Sequence, residues 1–280
     1  MRMLVIGGRG MAGHMLVRTL RRTAGIEVVW TVRDPKEAEG ELALDALDLD
    51  AVRRTVGLVK PDIIVNAAGV LNQDAEERPK EAYLVNGLLP HWLRHAADEA
   101  GGRLIHISSD CVFLGDRGGY AETDRPDGVT VYGRSKALGE VHDPRHLTIR
   151  TSIIGPEIRE SGIGLLRWFL AQQGPVDGYA GVLWNGVTTL ELARAVLYAA
   201  ERPDIGGLVH LTAPETVSKL ELLRLFAKTF GRESVEIRPA AEPKLDRTLV
   251  RTRTDWAYQA PAYPLMLEEL AAVMREDAFA

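Results

Sequence analysis

A tyrosine and a lysine spaced by one helical turn are the residues of this sequence best suited to acid–base chemistry. Tyr132 and Lys136 are separated by three residues, and side chains four residues apart share one face of a helix. A lysine ammonium beside a phenol favours the phenolate and lowers the pKa of the phenol. The spacing therefore predicts Tyr132 as a proton donor or acceptor near neutral pH.

A pair of serines supplies a second polar group for the same site. Ser108 and Ser109 end an apolar run that is predicted to be a β-strand. Hydroxyls at the carboxyl end of a parallel strand point into the crevice where ligands bind. We therefore expect Ser109 to hydrogen-bond a substrate carbonyl while Tyr132 protonates it.

A glycine-rich turn near the amino terminus predicts a binding site for a dinucleotide. The pattern Gly-x-x-Gly-x-x-Gly begins at residue 7, after a predicted strand and at the start of a predicted helix. That context lets the backbone approach a pyrophosphate, which the free N–H groups and dipole of the helix then bind. The cofactor contacts predicted in this turn are Gly7, Gly8, Arg9, Gly10, Met11 and Gly13.

The end of the second predicted strand indicates which dinucleotide is bound. NAD-binding proteins usually carry an acidic residue there for the ribose hydroxyls, but Val32 occupies that position and Arg33 follows it. An arginine pairs well with a 2′-phosphate, and Arg9 could join it. This favours NADPH; NADH remains the alternative, with Asp34 on the ribose.

The elements that would position these groups alternate between strands and helices. Apolar runs at 3–6, 28–32, 42–44, 62–65, 104–107 and 147–149 are separated by segments with helical periodicity. This alternation predicts an α/β fold, a Rossmann-type doubly wound parallel sheet. Residues 1–150 would form the NAD(P)-binding domain. Residues 151–280 would mainly form a smaller C-terminal α/β substrate-binding lobe, with some segments returning to the first domain.

Composition narrows the function further. The chain has 280 residues, 46% of them hydrophobic, and a formal net charge of -5. This mild acidity disfavours nucleic-acid binding. No apolar run is long enough to span a membrane, and no group of residues has metal-ligand spacing. A single cysteine, Cys111, and the lack of a signal peptide lead us to expect a cytoplasmic protein.

Taken together, these motifs resemble the extended short-chain dehydrogenase/reductase family. Within it, the chain is most similar to the dTDP-4-dehydrorhamnose reductases. The resemblance rests on the stretches KPDIIVNAA at 60–68, VN at 85–86, HISSDCVF at 106–113, VYGRSK at 131–136 and IRTS at 149–152. Weaker matches are GVTT at 186–189 and LDRTL at 245–249. The resemblance thus covers nearly the whole chain.

The resemblance implies a role for each matching residue. Ser109 matches the catalytic hydroxyl residue, Tyr132 the general acid, and Lys136 its activator, which also binds the nicotinamide ribose. Further implied cofactor residues are Asp45 near the adenine, the backbone of Ala67, Ala68 and Gly69, and Asn86. Candidate substrate contacts are Asp110, Cys111, Arg150, Ile153 and Trp184. Structural alternatives are a helix cap for Asp48, a buried amide for Asn86, an ion pair for Arg150 and lobe packing for Trp184.

Two departures from the family pattern leave the sugar open. Cys111 stands where the rhamnose enzymes carry tyrosine, and Ile153 where they carry tryptophan. Cys111 also resembles the Ser-Ser-Cys motif of GDP-fucose synthase, whose cysteine acts in epimerisation. However, no histidine lies between His146 and His210 to match the partner of that cysteine. The related dehydratases carry glutamate at this position, so dehydration is disfavoured, and a buried thiol is the simplest interpretation.

The sequence therefore predicts an NADPH-dependent reductase for the keto group of a nucleotide-activated sugar of the 4-keto-6-deoxy type. Two alternatives stay open. One is an NAD(P)-dependent sugar-nucleotide epimerase or epimerase-reductase. The other is a non-catalytic, dinucleotide-binding regulatory subunit, because the methionine adenosyltransferase regulatory subunit resembles the same family. A homodimer is expected from the family alone.

Overall fold

Strands and helices alternate along most of the chain in a computed structural model that describes residues 1–36, 38–158, 162 and 164–278. The strands are β1 (Arg2–Ile6), β2 (Glu27–Val32), β3 (Glu41–Ala43), β4 (Ile63–Asn66), β5 (Arg103–Ser109), β6 (Leu147–Thr151), β7 (Ile153–Ile154), β8 (Val176–Tyr179), β9 (Val182–Trp184), β10 (Val187–Thr188), β11 (Gly207–His210), β12 (Val217–Ser218), β13 (Ile237–Ala240) and β14 (Leu245–Asp246). The α-helices are α1 (Met11–Arg21), α2 (Leu49–Val59), α3 (Asn72–Glu77), α4 (Pro79–Ala82), α5 (Leu89–Ala100), α6 (Val131–Leu138), α7 (Leu165–Leu170), α8 (Thr189–Ala200), α9 (Lys219–Thr229) and α10 (Tyr263–Ala278).

The central sheet has seven parallel strands in the order β11-β6-β5-β4-β1-β2-β3. The chain starts in the middle, winds outward to β3, and then returns through β4 to the other edge. This confirms the predicted α/β, doubly wound, Rossmann-type fold. The reversal of direction between β1 and β4 opens a crevice at the carboxyl ends of these strands, where ligands of such sheets bind.

Both faces of this sheet are covered, which explains the unbroken apolar runs in the sequence. In β1, Met3 and Val5 pack into one core cluster, whereas Leu4 and Ile6 pack into a second cluster on the opposite face. Alternate residues of one strand thus enter two separate cores. An apolar run rather than an alternating one is the expected signature of such a strand.

Side-chain caps define where the helices near the crevice begin. Asp48 accepts a hydrogen bond from the Ala51 N–H at 2.8 Å, as expected for the cap of α2. Thr130 caps α6 by accepting from the Gly133 N–H at 3.0 Å. This cap places Tyr132 in the first turn of α6.

The segment at 80–100, which has the length of a single predicted helix, forms three consecutive helical pieces. A π-helix spans Tyr83–Leu88 between α4 and α5. A π-turn has one more residue per hydrogen-bonded ring than an α-turn, and such turns often occur at functional sites. The π-helix of this protein carries Asn86, whose side chain contacts Ser135 of α6.

The C-terminal part both builds small sheets and returns to the central one. Strand β11 adds a seventh strand to the six that the sequence predicts, and α8 packs against α1. Glu276 of α10 forms ion pairs of 2.8 Å with Arg18 and Arg22 of the α1 region. The remaining short strands pair as β10–β7, β12–β9–β14 and β13–β8.

Candidate active site

The turn between β1 and α1 can be formed only by residues without a side chain at three positions. Gly7 has a φ of +86°, which is strained for other residues. A Cβ added to Gly13 would lie 2.0 Å from the Gly7 carbonyl oxygen, and one added to Gly8 would lie 2.4 Å from Cδ1 of Trp30. The internal packing of the protein therefore accounts for Gly7, Gly8 and Gly13.

Gly10 differs, because the packing of the protein does not require its lack of a side chain. A Cβ there would meet only the carbonyl oxygens of Gly7 at 3.4 Å and Ala67 at 3.9 Å. Gly10 is the N-cap of α1, where Met11 begins the helix, and it provides no side-chain acceptor for the first turn. The result is an open cradle at a helix N-terminus, which suits a phosphate group.

The two arginines predicted near the cofactor have different surroundings. Arg33 directly follows β2, is exposed, and makes no hydrogen bond or ion pair within the part of the chain that the structure describes. Arg9 donates to the Asp34 carbonyl oxygen at 2.6 Å and to the Glu41 carboxylate at 2.8 Å. Arg33 is thus free to meet an anion, whereas Arg9 is already paired with groups of the protein.

Glu41 organises this edge of the site, and the sequence analysis did not identify it. Its carboxylate is buried and also accepts from Nε1 of Trp30 at 3.3 Å and from the backbone N–H of Lys36 at 2.6 Å. These contacts fold the segment after β2 back against the glycine turn. No motif marks Glu41, because its partners come together only when β2 and β3 pair.

Asn86 links the loop after β4 to α6. Its Oδ1 accepts from the Val70 N–H at 2.9 Å, and its Nδ2 donates to the Val70 carbonyl at 2.9 Å and to Ser135 Oγ at 3.0 Å. The side chain is fully buried. These contacts support the structural alternative for Asn86 over a direct cofactor contact.

The other predicted cofactor residues lie on the rim of the crevice. Ala67, Ala68 and Gly69 follow β4, and Ala68 lies against the glycine turn, 3.0 Å from the Cβ position of Gly7. Asp45 is exposed after β3 and accepts from the Leu47 N–H at 3.0 Å. All of them lie near the carboxyl ends of the central strands.

Ser109 and Tyr132 come together from different elements, as the sequence predicts. Ser109 is the last residue of β5, and its Oγ lies within hydrogen-bonding range of the Tyr132 phenol. The same Oγ accepts from the Cys111 N–H at 3.1 Å and donates to Asp110 Oδ1 at 3.2 Å. Burial raises the pKa of Tyr132 above its usual value, and the Ser109 hydrogen bond opposes this only in part.

Lys136 is buried one turn further along α6. Its Nζ donates to the Ile107 carbonyl oxygen at 2.6 Å. Burial lowers the pKa of Lys136 to about 8, although the Glu140 carboxylate acts in the opposite direction. The sequence led us to expect that Lys136 lowers the pKa of Tyr132, but burial of the phenol dominates and raises that pKa instead.

Arg150 is a correction to the predicted substrate contacts. It is 1% exposed and forms two hydrogen bonds with the equally buried Glu140, from Nε at 2.8 Å and from Nη2 at 2.6 Å. Its Nη1 lies 3.0 Å from Nε2 of His210, and its guanidinium lies over the ring of Phe113 at 4.8 Å. Every nitrogen that could bind a sugar is therefore in use inside the protein.

The structure also corrects the prediction that Trp184 contacts the substrate. It is 4% exposed and stacks on Tyr263, with ring centroids 5.5 Å apart. The ammonium of Lys219 lies 4.6 Å from the centroid of the same ring. Trp184 therefore packs inside the lobe and offers no open ring face to a sugar. Ile153 is half-buried on β7, where it pairs with Val187 of β10.

Two cations that the sequence analysis did not single out lie beside Asp110 and Cys111. Arg247 donates from Nη1 to Cys111 Sγ at 3.6 Å. Lys219 lies close enough to Asp110 and Cys111 for their charges to act on its pKa. Burial, together with Asp110, raises the pKa of Cys111 to about 12. The 108 and more residues that separate these groups in sequence explain why no local pattern marks them.

A pocket of about 210 Å³ opens above Tyr132 and is lined by Asn72, Glu76, Cys111, Thr130, Tyr132 and Arg247. Asn72 has a φ of +36°, an uncommon conformation that often marks a functional site. A larger depression of about 500 Å³ lies at the opposite, amino ends of β1 and β2. Because ligands of open parallel sheets bind at the carboxyl ends, the smaller pocket is the candidate active site.

Within the described ranges, no cluster of potential ligands for a metal ion is present. None of the helices in the same ranges is both long enough and apolar enough to cross a membrane.

These features define a dinucleotide-binding protein of the extended short-chain dehydrogenase/reductase type. They are the order of the strands, the glycine turn, and the group formed by Ser109, Tyr132 and Lys136. Comparison with protein families is specific: residues 1–255 match the family described as the RmlD substrate binding domain, and the chain belongs to this family.

Among the known proteins similar to this chain are one named as a reductase and one named as a subunit of another enzyme. The dTDP-4-dehydrorhamnose reductase of Salmonella typhimurium is 31% identical over 230 residues, which are 78% of this chain and 74% of that protein. Methionine adenosyltransferase 2 subunit beta of Danio rerio is 32% identical over 215 residues, 72% of this chain and 66% of that protein. The crystal structure of Bacillus anthracis dTDP-4-dehydrorhamnose reductase in complex with NADP has a TM-score of 0.81 at 20% identity, covering 97% of this chain and 99% of that one.

Proposed function

We propose that this protein is an NADPH-dependent reductase that acts on the keto group of a nucleotide-activated sugar. The observation that carries the proposal is the meeting of the Ser109 and Tyr132 hydroxyls at the carboxyl end of β5, with Lys136 buried beside them. The name of the Salmonella relative supports the same reaction class and suggests a 4-keto-6-deoxy sugar.

The chain's own residues fit NADPH. The cradle at Gly10 and the N-terminus of α1 would bind the pyrophosphate, and the unpaired Arg33 would bind the 2′-phosphate. Asp45 and the backbone at 67–69 would lie along the adenosine and nicotinamide halves. When bound, NADPH supplies the hydride. That the Bacillus anthracis relative is a complex with NADP supports this choice of cofactor.

Lys136 would hold the nicotinamide ribose. An ammonium has three N–H donors, and one of them is used by the Ile107 carbonyl oxygen. The others could reach ribose hydroxyls. Its positive charge also favours a negative charge on Tyr132, which is on the same face of α6.

Tyr132 would act as the general acid. Because burial raises its pKa, the phenol keeps its proton at neutral pH. Ser109 would turn its hydroxyl proton from Asp110 to the substrate carbonyl oxygen and so orient that carbonyl. As the carbonyl oxygen gains negative charge during reduction, Tyr132 would give it the phenol proton. The proton transfer would leave a Tyr132 phenolate, which solvent then reprotonates.

Cys111 is poorly suited to the epimerase alternative. With a pKa raised to about 12 by burial, it is a neutral thiol at physiological pH. A thiol in that state is a weak base, so abstraction of a proton from a sugar carbon is disfavoured.

The second candidate function is a non-catalytic regulatory subunit, which the name of the zebrafish relative raises. The variant Tyr132→Phe separates it from the reductase. In the reductase, removal of the phenol proton should lower turnover of a dTDP-4-keto-6-deoxy sugar by about 100-fold to 10,000-fold, whereas NADPH affinity should stay unchanged. Oxidation of NADPH and its fluorescence titration measure the two quantities. Equal turnover by the wild-type protein and by Tyr132→Phe would exclude Tyr132 as the general acid.

Arg33→Ala tests the cofactor assignment. Loss of a charge-assisted bond to the 2′-phosphate should weaken NADPH binding by about 10-fold to 100-fold and leave NADH binding unchanged. Arg54→Ala, which removes an exposed arginine from α2, serves as the matched control. A wild-type protein that binds NADH more tightly than NADPH would contradict the role of Arg33.

We further propose a cytoplasmic location and a homodimer. A reducing compartment suits the lone thiol of Cys111. Apolar side chains are exposed on the π-helix and α6, where Leu88 is 40% and Leu138 is 58% exposed. Light scattering of the purified protein measures the oligomeric state, and Leu138→Glu should yield a monomer if this face is the interface.

A further inference from the structure

The carboxylate of Glu41 binds three separate segments at the edge of the sheet where the cofactor is expected. Its Oε1 lies 2.8 Å from Nη2 of Arg9 in the glycine turn and accepts from Nε1 of Trp30 in β2 at 3.3 Å. Its Oε2 accepts from the same Arg9 nitrogen at 2.9 Å and from the Lys36 backbone N–H at 2.6 Å. Each oxygen therefore has two donors, which uses the full acceptor capacity of a carboxylate.

Glu41 makes these contacts away from solvent. Its side chain is 3% exposed, and that of Arg9 is 25% exposed. Burial acts to raise the pKa of Glu41, but the hydrogen bonds that it accepts and the charge of Arg9 outweigh burial and lower that pKa below its usual value. The carboxylate is therefore ionised at neutral pH. Loss of its acceptors would leave buried N–H donors unpaired, which is costly.

The backbone of Arg33 is held on both sides, and only the side chain is free. On one side, the Val32 carbonyl oxygen accepts from the Leu44 N–H at 2.8 Å, where β2 runs beside β3. On the other side, the Asp34 carbonyl oxygen accepts from Nη1 of Arg9 at 2.6 Å. The exposed Arg33 side chain has no hydrogen-bond or ion-pair partner among the described residues. Other residues therefore set the point from which its guanidinium projects.

Glu41 controls the second of these two fixed points. It orients the Arg9 guanidinium that reaches the Asp34 carbonyl oxygen, and it binds the backbone N–H two residues further along the chain. Trp30 extends the same restraint to the glycine turn, because a Cβ on Gly8 would lie 2.4 Å from its Cδ1. One buried carboxylate thus fixes the backbone after β2 relative to the turn that is expected to bind the pyrophosphate.

We propose that Glu41 is a positioning residue that sets the preference for NADPH over NADH, because it fixes the Arg33 side chain relative to the glycine turn. The 2′-phosphate of NADPH is joined covalently to the pyrophosphate through the adenosine ribose, so the two anions need binding groups at matched places. An arginine gains most when its paired donors meet a phosphate in the right geometry. The inference rests on the cofactor of the proposed function, but not on the sugar or on catalysis.

The sign of the effect separates positioning from the charge of Glu41 alone. If Glu41 acted only as a negative charge near the cofactor, its removal would strengthen the binding of a 2′-phosphate. If Glu41 positions Arg33, its removal weakens NADPH binding and leaves NADH binding nearly unchanged, because NADH has no 2′-phosphate. Glu41→Gln keeps the shape of the side chain, but in either orientation its amide NH2 faces N–H donors that the carboxylate accepted.

Fluorescence titration measures the dissociation constants of NADPH and NADH, and their ratio is the selectivity. Glu41→Gln should lower the selectivity for NADPH by about 5-fold to 20-fold. Glu41→Asp keeps the charge but withdraws both oxygens by one methylene, and should lower the selectivity in the same direction. It also carries the test if the amide variant fails to fold. Combining Glu41→Gln with Arg33→Ala should cause no loss beyond that of Arg33→Ala, because the positioned side chain is gone.

Glu39→Gln is the matched control. Glu39 lies two residues before Glu41 and is exposed, so this variant removes the same charge from the same turn without touching the contacts of Glu41. Its selectivity should stay within about twofold of the wild type, since water screens an exposed charge. Competition by adenosine 2′,5′-bisphosphate and by AMP repeats the comparison with ligands that differ by the 2′-phosphate and lack the nicotinamide.

Three results would overturn the proposal while the wild type still prefers NADPH. They are an unchanged selectivity in both Glu41 variants, a raised selectivity in Glu41→Gln, and a loss that persists in full when Arg33 is already alanine. A wild type that binds NADH as tightly as NADPH would overturn this proposal and the choice of NADPH together. Reductase turnover enters none of these measurements, so the proposed reaction is tested separately by Tyr132→Phe.

Discussion

The buried pair of Arg150 and Glu140 permits a stability prediction whose size follows from its geometry. Both side chains are 1% exposed, and the carboxylate accepts from Arg150 through both oxygens at 2.6 and 2.8 Å and from Ser108 Oγ at 2.8 Å. In Glu140→Gln, an amide nitrogen replaces one of those oxygens and faces a donor, and the Arg150 charge stays buried without its counter-ion. Loss of one partner of such a pair costs about 3–5 kcal/mol.

An exposed ion pair provides the matched control. Arg53 and Glu99 also form a two-bond pair, at 2.9 and 3.0 Å, but their side chains are 61% and 38% exposed. Glu99→Gln makes the same chemical change in a pair that water screens, and should cost less than about 1 kcal/mol. The difference between the two variants isolates the effect of burial.

Urea unfolding followed by circular dichroism measures the free energy of unfolding of each variant. A Glu140→Gln variant within about 1 kcal/mol of Glu99→Gln would refute the claim that burial makes the Arg150 pair essential. A double variant, Glu140→Leu with Arg150→Met, tests the cause directly. It should recover much of the lost stability, because it leaves no unpaired charge behind.

Two further outcomes follow from the site. Gly13→Ala should weaken NADPH binding by on the order of tenfold or more, because the added Cβ would lie 2.0 Å from the Gly7 carbonyl oxygen and displace the turn. The control is Gly57→Ala in α2, where the added Cβ would meet nothing within 4 Å. This variant should keep the NADPH affinity of the wild type in the same fluorescence titration. NADPH affinity and turnover should fall as pH rises through about 8, since the pKa of Lys136, lowered by burial to about 8, marks where its ammonium is lost. Lys136→Met should abolish that pH dependence, whereas a profile unchanged in this variant would show that another group titrates.

The fold and the outline of the site could be predicted because they depend on local signals. The apolar runs of β1 to β6 reveal strands buried on both faces. The glycines of the first turn form a short local pattern, in which Gly7 is required by its positive φ and Gly13 by the nearby Gly7 carbonyl oxygen. Tyr132 and Lys136 needed only the pitch of a helix to be placed together. Ser109 followed from its position at the end of a strand, because all parallel strands present their carboxyl ends at one edge.

What the sequence could not decide is which charged residues find partners inside the protein. Arg150 and Arg33 each follow an apolar run in the sequence. In the structure, however, Arg150 is buried against Glu140, whereas Arg33 is exposed and has no partner among the described residues. Arg247 and Lys219 reach Cys111 from more than a hundred residues away. Local hydrogen bonding and periodicity act over one turn or one strand, and so they are written in short stretches of sequence. The pairing of a charge depends on desolvation and on distances between distant segments, and only the packed tertiary structure sets those.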